Sequence, residues 1–240
     1  MATSEALANI TVLISGNGSN LQALIDAIAE GTIKAKISLV ISSSPTAYGL
    51  ERAAKANIPT KIHTLKSYYS SIPADVSPEE KKKQRAKARE VFNQDLLNII
   101  LFGDKYASQE SVAATPFSSG HKSPGLIVCA GWMLILSKDF LVNLHPYNIP
   151  IINLHPALPG QFEGINAIER SWKAAQDGEV DKTGIMIHKV IPEVDKGEPL
   201  LVKELSVIKG ETLEEYEARV HAAEHDGIVE GTVLALKTLI

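Results

Sequence analysis

Short apolar runs alternate with longer amphipathic segments through the first hundred residues of the chain. The apolar runs predict strands at 10–15, 36–42 and 60–65. The segments between them predict helices at 21–31 and 46–58, because their apolar residues recur three and four positions apart. This alternation of strand and helix is typical of a parallel sheet.

A longer helix is predicted at 79–103, where the sequence begins highly charged and ends apolar. Its basic run at 81–89 is interpreted as a solvated face rather than a phosphate-binding patch. Residues 104–124 then lose periodicity and gather Ser, Pro and Gly, so we predict a surface loop or insertion there. The side chains of the long helix that we expect to face inward are Val91, Leu96, Leu97, Ile100 and Leu101.

The second half of the chain opens with a near-continuous apolar strand at 126–132, which is typical of a parallel sheet covered on both faces. The elements predicted after it are a helix at 137–144, a strand at 149–154, a helix at 167–178, antiparallel strands at 182–191 and 199–207, and a helix at 212–238. The predicted fold class is α/β, a mostly parallel twisted sheet with helices on both faces and antiparallel strands at its C-terminal side. Because no segment is typical of a linker, residues 1–240 are predicted to form a single domain.

Composition and charge narrow the class of protein. Hydrophobic residues make up 45% and charged residues 22% of the chain, as in ordinary soluble proteins. The formal charge of −4 argues against broad nucleic-acid binding, which needs a basic face. The sequence shows neither a signal peptide nor an apolar span of membrane length, so we expect a cytoplasmic protein with no membrane partner.

Disulfide and metal chemistry is not expected from this sequence. The one cysteine, Cys129, lies in an apolar run and is interpreted as a buried core residue. The segment HAAEH at 221–225 fits a zinc-protease pattern, which still needs a carboxylate ligand from well downstream. Too few residues follow to supply that ligand, so no metal is predicted.

The segment SGNGSN at 15–20 lies between the first strand and the first helix. Gly16 and Gly18 permit a tight turn, and the backbone N–H groups that open the helix, with Ser19 and Asn20, can hold an anion. A dinucleotide site would need a third glycine, where this chain has Leu21, and an acidic residue after the second strand, which the sequence lacks. The pattern favours a mononucleotide-like or sugar-phosphate site, and a glycine turn without a ligand is the alternative.

Two polar residues, Asn153 and His155, end the strand predicted at 149–154. Side chains two apart point to the same side of a strand, so both should converge at the carboxyl edge of the sheet, where open α/β sheets bind ligands. An amide donor beside an imidazole can stabilise an oxyanion and transfer a proton. Asp195, in the turn PEVDKG, is the predicted partner of His155, with Glu193 as a weaker candidate. A histidine that is only hydrogen-bonded structure is the alternative.

The chain resembles the phosphoribosylglycinamide formyltransferase family in the segments VLISGNGSNLQALIDA, LVISSSPTAYGLERA, CAGWMLILS, INLHPALPG and KTGIMIHKV with the later VDKG. The resemblance runs from residue 10 to residue 235 and is broken at 104–124. NLHP is shared by the wider 10-formyltetrahydrofolate-utilising family, whereas SGNGSN is more specific. The resemblance implies a Rossmann-like fold and formyl transfer from 10-formyltetrahydrofolate, as co-substrate, to the glycyl amine of glycinamide ribonucleotide.

The same resemblance implies how the ribonucleotide and the folate are bound. Gly18, Ser19 and Asn20 would hold the ribonucleotide phosphate, and Glu224 would bind the ribonucleotide from the last helix. Residues 1–125 would then form the phosphate-binding half, and residues 126–240 the folate-binding and catalytic half. The folate would be bound by Arg89, Met133, Leu134, Ile135, Leu136 and Asn153.

The resemblance also implies the catalytic roles. Asn153 and His155 would polarise the formyl oxygen, and Asp195 would raise the pKa of His155. The loop after His155 departs from the family pattern at Pro159 and Glu163. A further departure is His221, at a position where an amide or a basic residue is expected.

Formyltetrahydrofolate hydrolase, or another formyltransferase such as the methionyl-tRNA enzyme, is the alternative within the same chemistry. The hydrolase usually carries an extra N-terminal regulatory domain and the tRNA enzyme a basic C-terminal domain, and the sequence pattern indicates neither. A non-catalytic nucleotide-binding module would explain SGNGSN but not Asn153, His155 and Asp195. The partners we expect are small-molecule substrates and no nucleic acid, with a homodimer as a further hypothesis.

Overall fold

A computed structural model describes residues 7–103 and 121–240. The strands in these residues are β1 (Ala8–Ile14), β2 (Ala35–Ser42), β3 (Thr60–Ile62), β4 (Leu126–Cys129), β5 (Ile151–His155), β6 (Lys182–Lys189) and β7 (Pro199–Ser206). They form one sheet in the order β3-β2-β1-β4-β5-β6-β7. Strands β1 to β5 pair in parallel, whereas β6 and β7 run antiparallel to their neighbours. The predicted mostly parallel sheet with antiparallel strands at its C-terminal side is confirmed.

Several of the helices that flank this sheet begin at side chains that accept backbone N–H groups. Ser77, Ser137 and Thr212 each accept from the residue three positions on, and Thr212 forms a full capping box with Glu215. A short 3-10 turn, His145–Tyr147, follows the fifth helix. The helices are α1 (Ser19–Ala29), α2 (Gly49–Lys55), α3 (Leu65–Ser70), α4 (Pro78–Phe102), α5 (Lys138–Leu144), α6 (Ala167–Asp177) and α7 (Leu213–Thr238).

The sheet separates two apolar layers. Val12 and Ile14 of β1 pack into the layer that contains α1 and α7, whereas Leu13 packs into the layer that contains α4 and α5. Successive strand residues point to opposite faces, so a central strand covered on both sides must be apolar at nearly every position. This requirement explains the continuous apolar runs of the sequence.

The long helix α4 differs from the prediction at one position. Val91 was expected to face inward, but it is 45% exposed, and that prediction is wrong. The neighbouring Phe92 is buried instead and stacks on His63, with ring centroids 4.2 Å apart. One residue turns a helix by roughly 100 degrees, so the buried stripe that includes Leu96 passes through Phe92 and leaves Val91 in solvent. The basic residues from Lys82 to Arg89 are exposed, which confirms the solvated face.

Two predicted strands end early, each for a local reason. The strand predicted at 60–65 ends at Ile62, because Thr64 caps the unpredicted helix α3 by accepting the backbone N–H of Ser67. The strand predicted at 126–132 ends at Cys129, because Gly131 adopts a left-handed φ of 81 degrees and turns the chain. The end of that strand therefore becomes a loop over the edge of the sheet.

Most of the predicted insertion at 104–124 lies outside the described residues, which resume at His121. His121 and Ser123 lie within hydrogen-bond distance of the carbonyl oxygens of Ile100 and Leu101, at 2.9 Å each. These side chains satisfy carbonyl groups that the last turn of α4 cannot bond internally.

Within residues 7–103 and 121–240, no helix combines the length and the apolar character needed to cross a membrane.

Helix α7 packs against β6 at two glycines, Gly227 and Gly231, and the space around these two residues differs. A Cβ on Gly231 would lie 2.7 Å from both γ carbons of Ile187 and 2.8 Å from its Cβ. A Cβ on Gly227 would meet only the terminal Cδ1 of Ile185, at 2.6 Å, which can rotate away. Ile187 is fully buried and branched at Cβ, so it cannot move aside without the backbone.

Gly231→Ala should lower the free energy of unfolding by about 1–3 kcal/mol, because overpacking outweighs the gain of ~1 kcal/mol in helix propensity. Gly227→Ala is the matched control and should be close to neutral. Urea unfolding followed by circular dichroism compares the two variants. Equal stabilities would contradict the tight α7–β6 contact.

Candidate active site

Asn153 and His155 lie at the carboxyl end of β5, on the face of the sheet that Ile151 shares with α4. Asp195, in the connection from β6 to β7, approaches both of them. Its Oδ2 lies 3.4 Å from Nδ1 of His155, and its Oδ1 accepts a 3.5 Å hydrogen bond from the amide of Asn153. Glu193, the weaker candidate, is exposed. The structure thus brings Asn153, His155 and Asp195 together.

The turn that carries Asp195 is fixed by its backbone surroundings. Asp195 has a left-handed φ of 55 degrees, which is uncommon for a residue other than glycine. Gly197 lies so close to β6 that a Cβ there would be 1.6 Å from the carbonyl oxygen of Lys189. The backbone N–H of Gly164 donates to Oδ2 of Asp195 at 2.9 Å. These constraints aim the carboxylate at His155.

His155 is only 3% exposed, and an acceptor faces each of its ring nitrogens. Nδ1 faces Asp195, and Nε2 lies 3.3 Å from the carbonyl oxygen of Gln161. A neutral imidazole has one N–H and satisfies one of these acceptors, whereas the protonated ring satisfies both. The loop after His155 therefore contacts His155 through Gln161 and Asp195 through Gly164.

Burial nevertheless lowers the pKa of His155 below its ordinary value, and this effect outweighs the opposing charge of Asp195. The contribution of Asp195 has the predicted direction, because an adjacent carboxylate favours the charged ring. The net pKa stays below its ordinary value because burial is the larger effect. The neutral ring therefore predominates at pH 7, and negative charge developing beside His155 would favour its protonation.

Asp195 itself keeps its negative charge. Burial raises the pKa of its carboxyl group, but hydrogen bonds with His188 and with the N–H of Gly164 and the charge of His155 together hold it below its usual range. An ionised Asp195 is what the orientation of His155 requires.

His188 completes the group and was not predicted from the sequence. It lies on β6 directly opposite Asn153, and its Nε2 is 3.1 Å from the amide nitrogen of Asn153. Its Nδ1 is 2.9 Å from the carbonyl oxygen of Lys189. Nε2 of His188 also lies 3.6 Å from Oδ1 of Asp195, so this ring nitrogen faces both the amide of Asn153 and the carboxylate. A histidine inside an apolar strand was the available signal, but its meaning depends on the strand register.

The glycine turn holds α1 in a conformation that suits an anion. Gly18 has a left-handed φ of 73 degrees, and α1 starts at Ser19 without a side-chain cap. A Cβ on Gly18 would lie 2.5 Å from Cα of Gly49, so glycine is required by space as well as by φ. The first N–H groups of α1 thus have no partner within the helix and can bind a negatively charged group.

Asn20 and Glu224, predicted to act at the same site, are in contact across α1 and α7. The amide nitrogen of Asn20 donates to Oε2 of Glu224 at 3.3 Å. Both side chains are buried, and Oδ1 of Asn20 has no partner among the described residues. Burial raises the pKa of Glu224, while the hydrogen bond from Asn20 acts in the opposite direction. Asn20 and Glu224 thus form a buried hydrogen-bonded pair with one acceptor, Oδ1 of Asn20, left without a partner among the described residues. Such a pair is suited to a site that binds hydroxyl groups.

The segment Met133–Leu136 runs from the end of β4 towards α5 and alternates in exposure. Met133 and Ile135 are 75% and 68% exposed, whereas Leu134 and Leu136 pack into the layer with α4. The backbone N–H of Met133 donates to Oγ of Ser15 at 2.9 Å, which ties this segment to the residue before the glycine turn. Two exposed apolar side chains on the loop after β4, the strand that pairs with β5, are suited to a flat aromatic ligand.

Arg89 lies on the exposed face of α4 and donates from Nε to the hydroxyl of Tyr69 at 2.6 Å. Its carbonyl accepts the amide of Asn93, whose Oδ1 accepts the backbone N–H of Ser137. Arg89 is thus linked to the end of the Met133–Leu136 segment but contacts none of its members among the described residues. Helix α4, which carries Arg89, packs on the same face of the sheet as Leu134 and Leu136.

The family described as Formyl transferase matches residues 8–232. The chain belongs to this family. The phosphoribosylglycinamide formyltransferase of Saccharomyces cerevisiae is 50% identical over 238 residues, which are 97% of this chain and 99% of the relative. The Escherichia coli protein of the same name is 34% identical over 218 residues, or 90% of this chain and 82% of the relative.

A solved structure agrees with these relatives. Glycinamide ribonucleotide transformylase 1 from Symbiobacterium toebii has a TM-score of 0.73 at 27% identity, covering 99% of this chain and 91% of that one. The predicted formyltransferase family, enzyme class and Rossmann-like fold are confirmed, and the hydrolase alternative is not favoured.

Asp195→Asn should lower the pKa of His155 further, because it removes the charge that opposes burial. The charge of Glu163 also raises the pKa of His155, but more weakly, so Glu163→Gln should lower it less. NMR titration of the assigned imidazole signals in the ligand-free protein measures both shifts. An unchanged His155 pKa in Asp195→Asn would contradict the electrostatic link.

Proposed function

We propose that this chain transfers the formyl group of 10-formyltetrahydrofolate to the amine of glycinamide ribonucleotide, a step of purine biosynthesis. The observation that carries the proposal is the convergence of Asn153, His155 and Asp195 at the end of β5, next to β4, the strand that leads into the Met133–Leu136 segment. No metal or resident cofactor takes part in this chemistry, because the folate enters as a co-substrate.

The ribonucleotide is proposed to bind along the carboxyl edge of β1. Its phosphate would take the N–H groups at Gly18, Ser19 and Asn20, which form the uncapped start of α1. Asn20 and Glu224 would accept and donate hydrogen bonds at the ribose. This arrangement directs the glycyl amine away from the turn and towards β5, since the parallel strands end at one edge.

The folate is proposed to lie on the Met133–Leu136 segment. Met133 and Ile135 would pack against the pterin ring, and backbone groups of the segment would bond to its polar edge. Arg89 would pair with a carboxylate of the folate side chain. The formyl group would then lie against Asn153 and His155.

The reaction is an acyl transfer in which the neutral amine attacks the formyl carbon. As the new carbon–nitrogen bond forms, the formyl oxygen takes the electron pair and becomes an oxyanion. The amide of Asn153 and the protonated ring of His155 would stabilise that oxyanion by exchanging their long contacts with Asp195 and with the carbonyl oxygen of Gln161, at 3.5 and 3.3 Å, for hydrogen bonds to it. When the intermediate collapses, the bond from carbon to N10 breaks, and N10 leaves as an amine after receiving, through water, the proton lost by the attacking nitrogen.

Asp195 is proposed to act by orienting His155 and favouring its charged form. In the unliganded site burial keeps the His155 pKa low, so the ring is charged mainly when the oxyanion develops beside it. Stabilisation would then be greater in the transition state than in the ground state, which is the condition for catalysis.

The cytoplasm is the proposed location, in keeping with a step of purine biosynthesis. Residues 1–125 and 126–240 are proposed as the two halves of one domain, although Arg89 and Glu224 each serve the other half. Homodimer formation is a separate hypothesis, which sedimentation at assay concentrations tests.

The deciding experiment compares formyl loss from 10-formyltetrahydrofolate with and without glycinamide ribonucleotide. Transfer predicts loss only when the ribonucleotide is present, with one formylated product per tetrahydrofolate released. Loss that ignores the ribonucleotide would overturn the transferase in favour of the hydrolase.

Asn153→Ala and His155→Ala should each lower kcat by at least about 100-fold, because each removes one donor to the oxyanion. Steady-state assays with both substrates saturating measure the effect, and circular dichroism verifies folding. His145→Ala, which removes an exposed histidine on the 3-10 turn, is the control and should retain full activity. A folded Asn153 or His155 variant with a near-normal rate would contradict the assignment.

The pH profile of kcat/KM should show a plateau, because the reaction needs protonated His155 and a neutral amine. For the wild type the rate rises up to the lowered His155 pKa and falls above the pKa of the substrate amine, about 8 for an α-amino group. Asp195→Asn lowers the His155 pKa, so it should lower kcat/KM on the plateau. The pH at which the plateau begins should also be lower than in the wild type.

The pH at which the plateau ends is set by the pKa of the substrate amine and should not change. Below the His155 pKa of the variant, the two profiles should converge, because His155 is fully protonated in both proteins. A loss of the same factor at every pH would leave Asp195 only an orienting role.

A further inference from the structure

We infer that Arg52 holds the phosphate-binding turn in shape and supplies a positive charge to the phosphate of the substrate. This inference rests on the proposed function and assigns a positioning residue to its phosphate subsite. Arg52 lies on α2, outside the segments in which the sequence predicted phosphate contacts.

The guanidinium of Arg52 binds both sides of the turn. Nε donates to the carbonyl oxygen of Asn17 at 3.0 Å, and Nη2 donates to the side-chain oxygen of Asn17 at 3.1 Å. Nη1 donates to Oε1 of Gln22 at 3.2 Å. Asn17 precedes Gly18–Asn20 and Gln22 follows it. One rigid, planar group therefore fixes the spacing of the two ends of the anion-binding segment.

The turn is built against the start of α2, which places Arg52 beside it. The backbone N–H of Gly49 donates to the carbonyl oxygen of Gly16 at 3.2 Å. Gly18 approaches Gly49 so closely that neither residue has room for a side chain. The ring of Tyr48 lies 4.9 Å from the guanidinium and supports its orientation.

The charge of Arg52 is not neutralised by its neighbours. Its bonded acceptors are carbonyl and amide oxygens, and in residues 7–103 and 121–240 it forms no ion pair. Burial, His221 and Arg52 lower the pKa of His225, so the positive field of Arg52 extends to α7, next to Glu224. The first turn of α1 contains no acidic residue. A phosphate dianion at this helix start would meet both the helix N-terminus and Arg52.

A neighbouring residue provides a matched control. Lys55 lies one turn further along α2, carries the same charge and also contacts the Tyr48 ring, at 5.7 Å. It makes no hydrogen bond to the turn within the described residues. Lys55→Gln thus removes a charge from the same helix without changing the contacts of Asn17 or Gln22.

The test is steady-state kinetics of Arg52→Gln, Arg52→Lys and Lys55→Gln with each substrate varied in turn. Arg52→Gln should raise KM for the ribonucleotide at least about tenfold, because charge-assisted bonds are lost at the phosphate end. Its kcat and its KM for the formyl-folate should change less than about threefold. Arg52→Lys keeps the charge but not the planar group that binds Asn17 and Gln22 together, so its KM for the ribonucleotide should be intermediate. Lys55→Gln should have the KM of the wild type.

Inorganic phosphate provides a second readout that does not depend on turnover. In Arg52→Gln the inhibition constant of phosphate against the ribonucleotide should rise in parallel with KM. The stabilisation of the protein by phosphate in thermal unfolding should fall. A lower melting temperature with unchanged ribonucleotide KM and phosphate binding would reduce Arg52 to a structural residue and overturn the inference. An equal rise in the ribonucleotide KM of Lys55→Gln would also overturn the inference, because any positive charge on α2 would then have the same effect.

Failure of the proposed function would appear differently. The wild type would then show no ribonucleotide-dependent transfer, while phosphate binding by wild type and Arg52→Gln would still decide the role of Arg52.

Discussion

Besides His188, the carboxylate of Asp195 contacts three groups that come from separate parts of the chain. It accepts the N–H of Gly164, lies 3.4 Å from His155 and accepts the amide of Asn153. Each contact constrains a different element of the site: the loop after β5, the imidazole and the amide donor. Because Asp195 is held by a left-handed backbone in a turn pressed against β6, its position depends on the fold rather than on side-chain freedom.

The change from parallel to antiparallel pairing after β5 makes this contact geometrically available. An antiparallel neighbour puts His188 directly opposite Asn153, and the chain that leaves β6 turns back over the end of β5. The same change of direction brings an apolar strand with one histidine beside β5, where Nε2 of His188 lies 3.1 Å from the amide nitrogen of Asn153.

The two proposed substrate regions meet because β1, β4 and β5 are neighbours in the sheet and end at one edge. Ser15, which follows β1, accepts the N–H of Met133, so the glycine turn and the Met133–Leu136 segment share a hydrogen bond. On the far side of the glycine turn, Arg52 and Gly49 of α2 donate to Asn17 and Gly16. Neither region lies within one half of the sequence.

The sequence by itself determined the features that depend on local periodicity and local stereochemistry. These are the order of strands and helices, the glycine turn before α1, and the placement of Asn153 and His155 on one side of a strand end. Each follows from rules that act over a few residues, such as alternation along a strand or the freedom of glycine. The family resemblance added roles to residues that such rules leave unassigned.

Tertiary structure alone decided which side chains are buried and which partners they meet. Phe92 rather than Val91 faces the core, His188 lies opposite Asn153, Asp195 rather than Glu193 reaches His155, and burial outweighs Asp195 in setting the His155 pKa. Strand register, burial and the close approach of distant segments all depend on the whole packed molecule. No local pattern contains that information, because the residues concerned are separated by tens of positions along the chain.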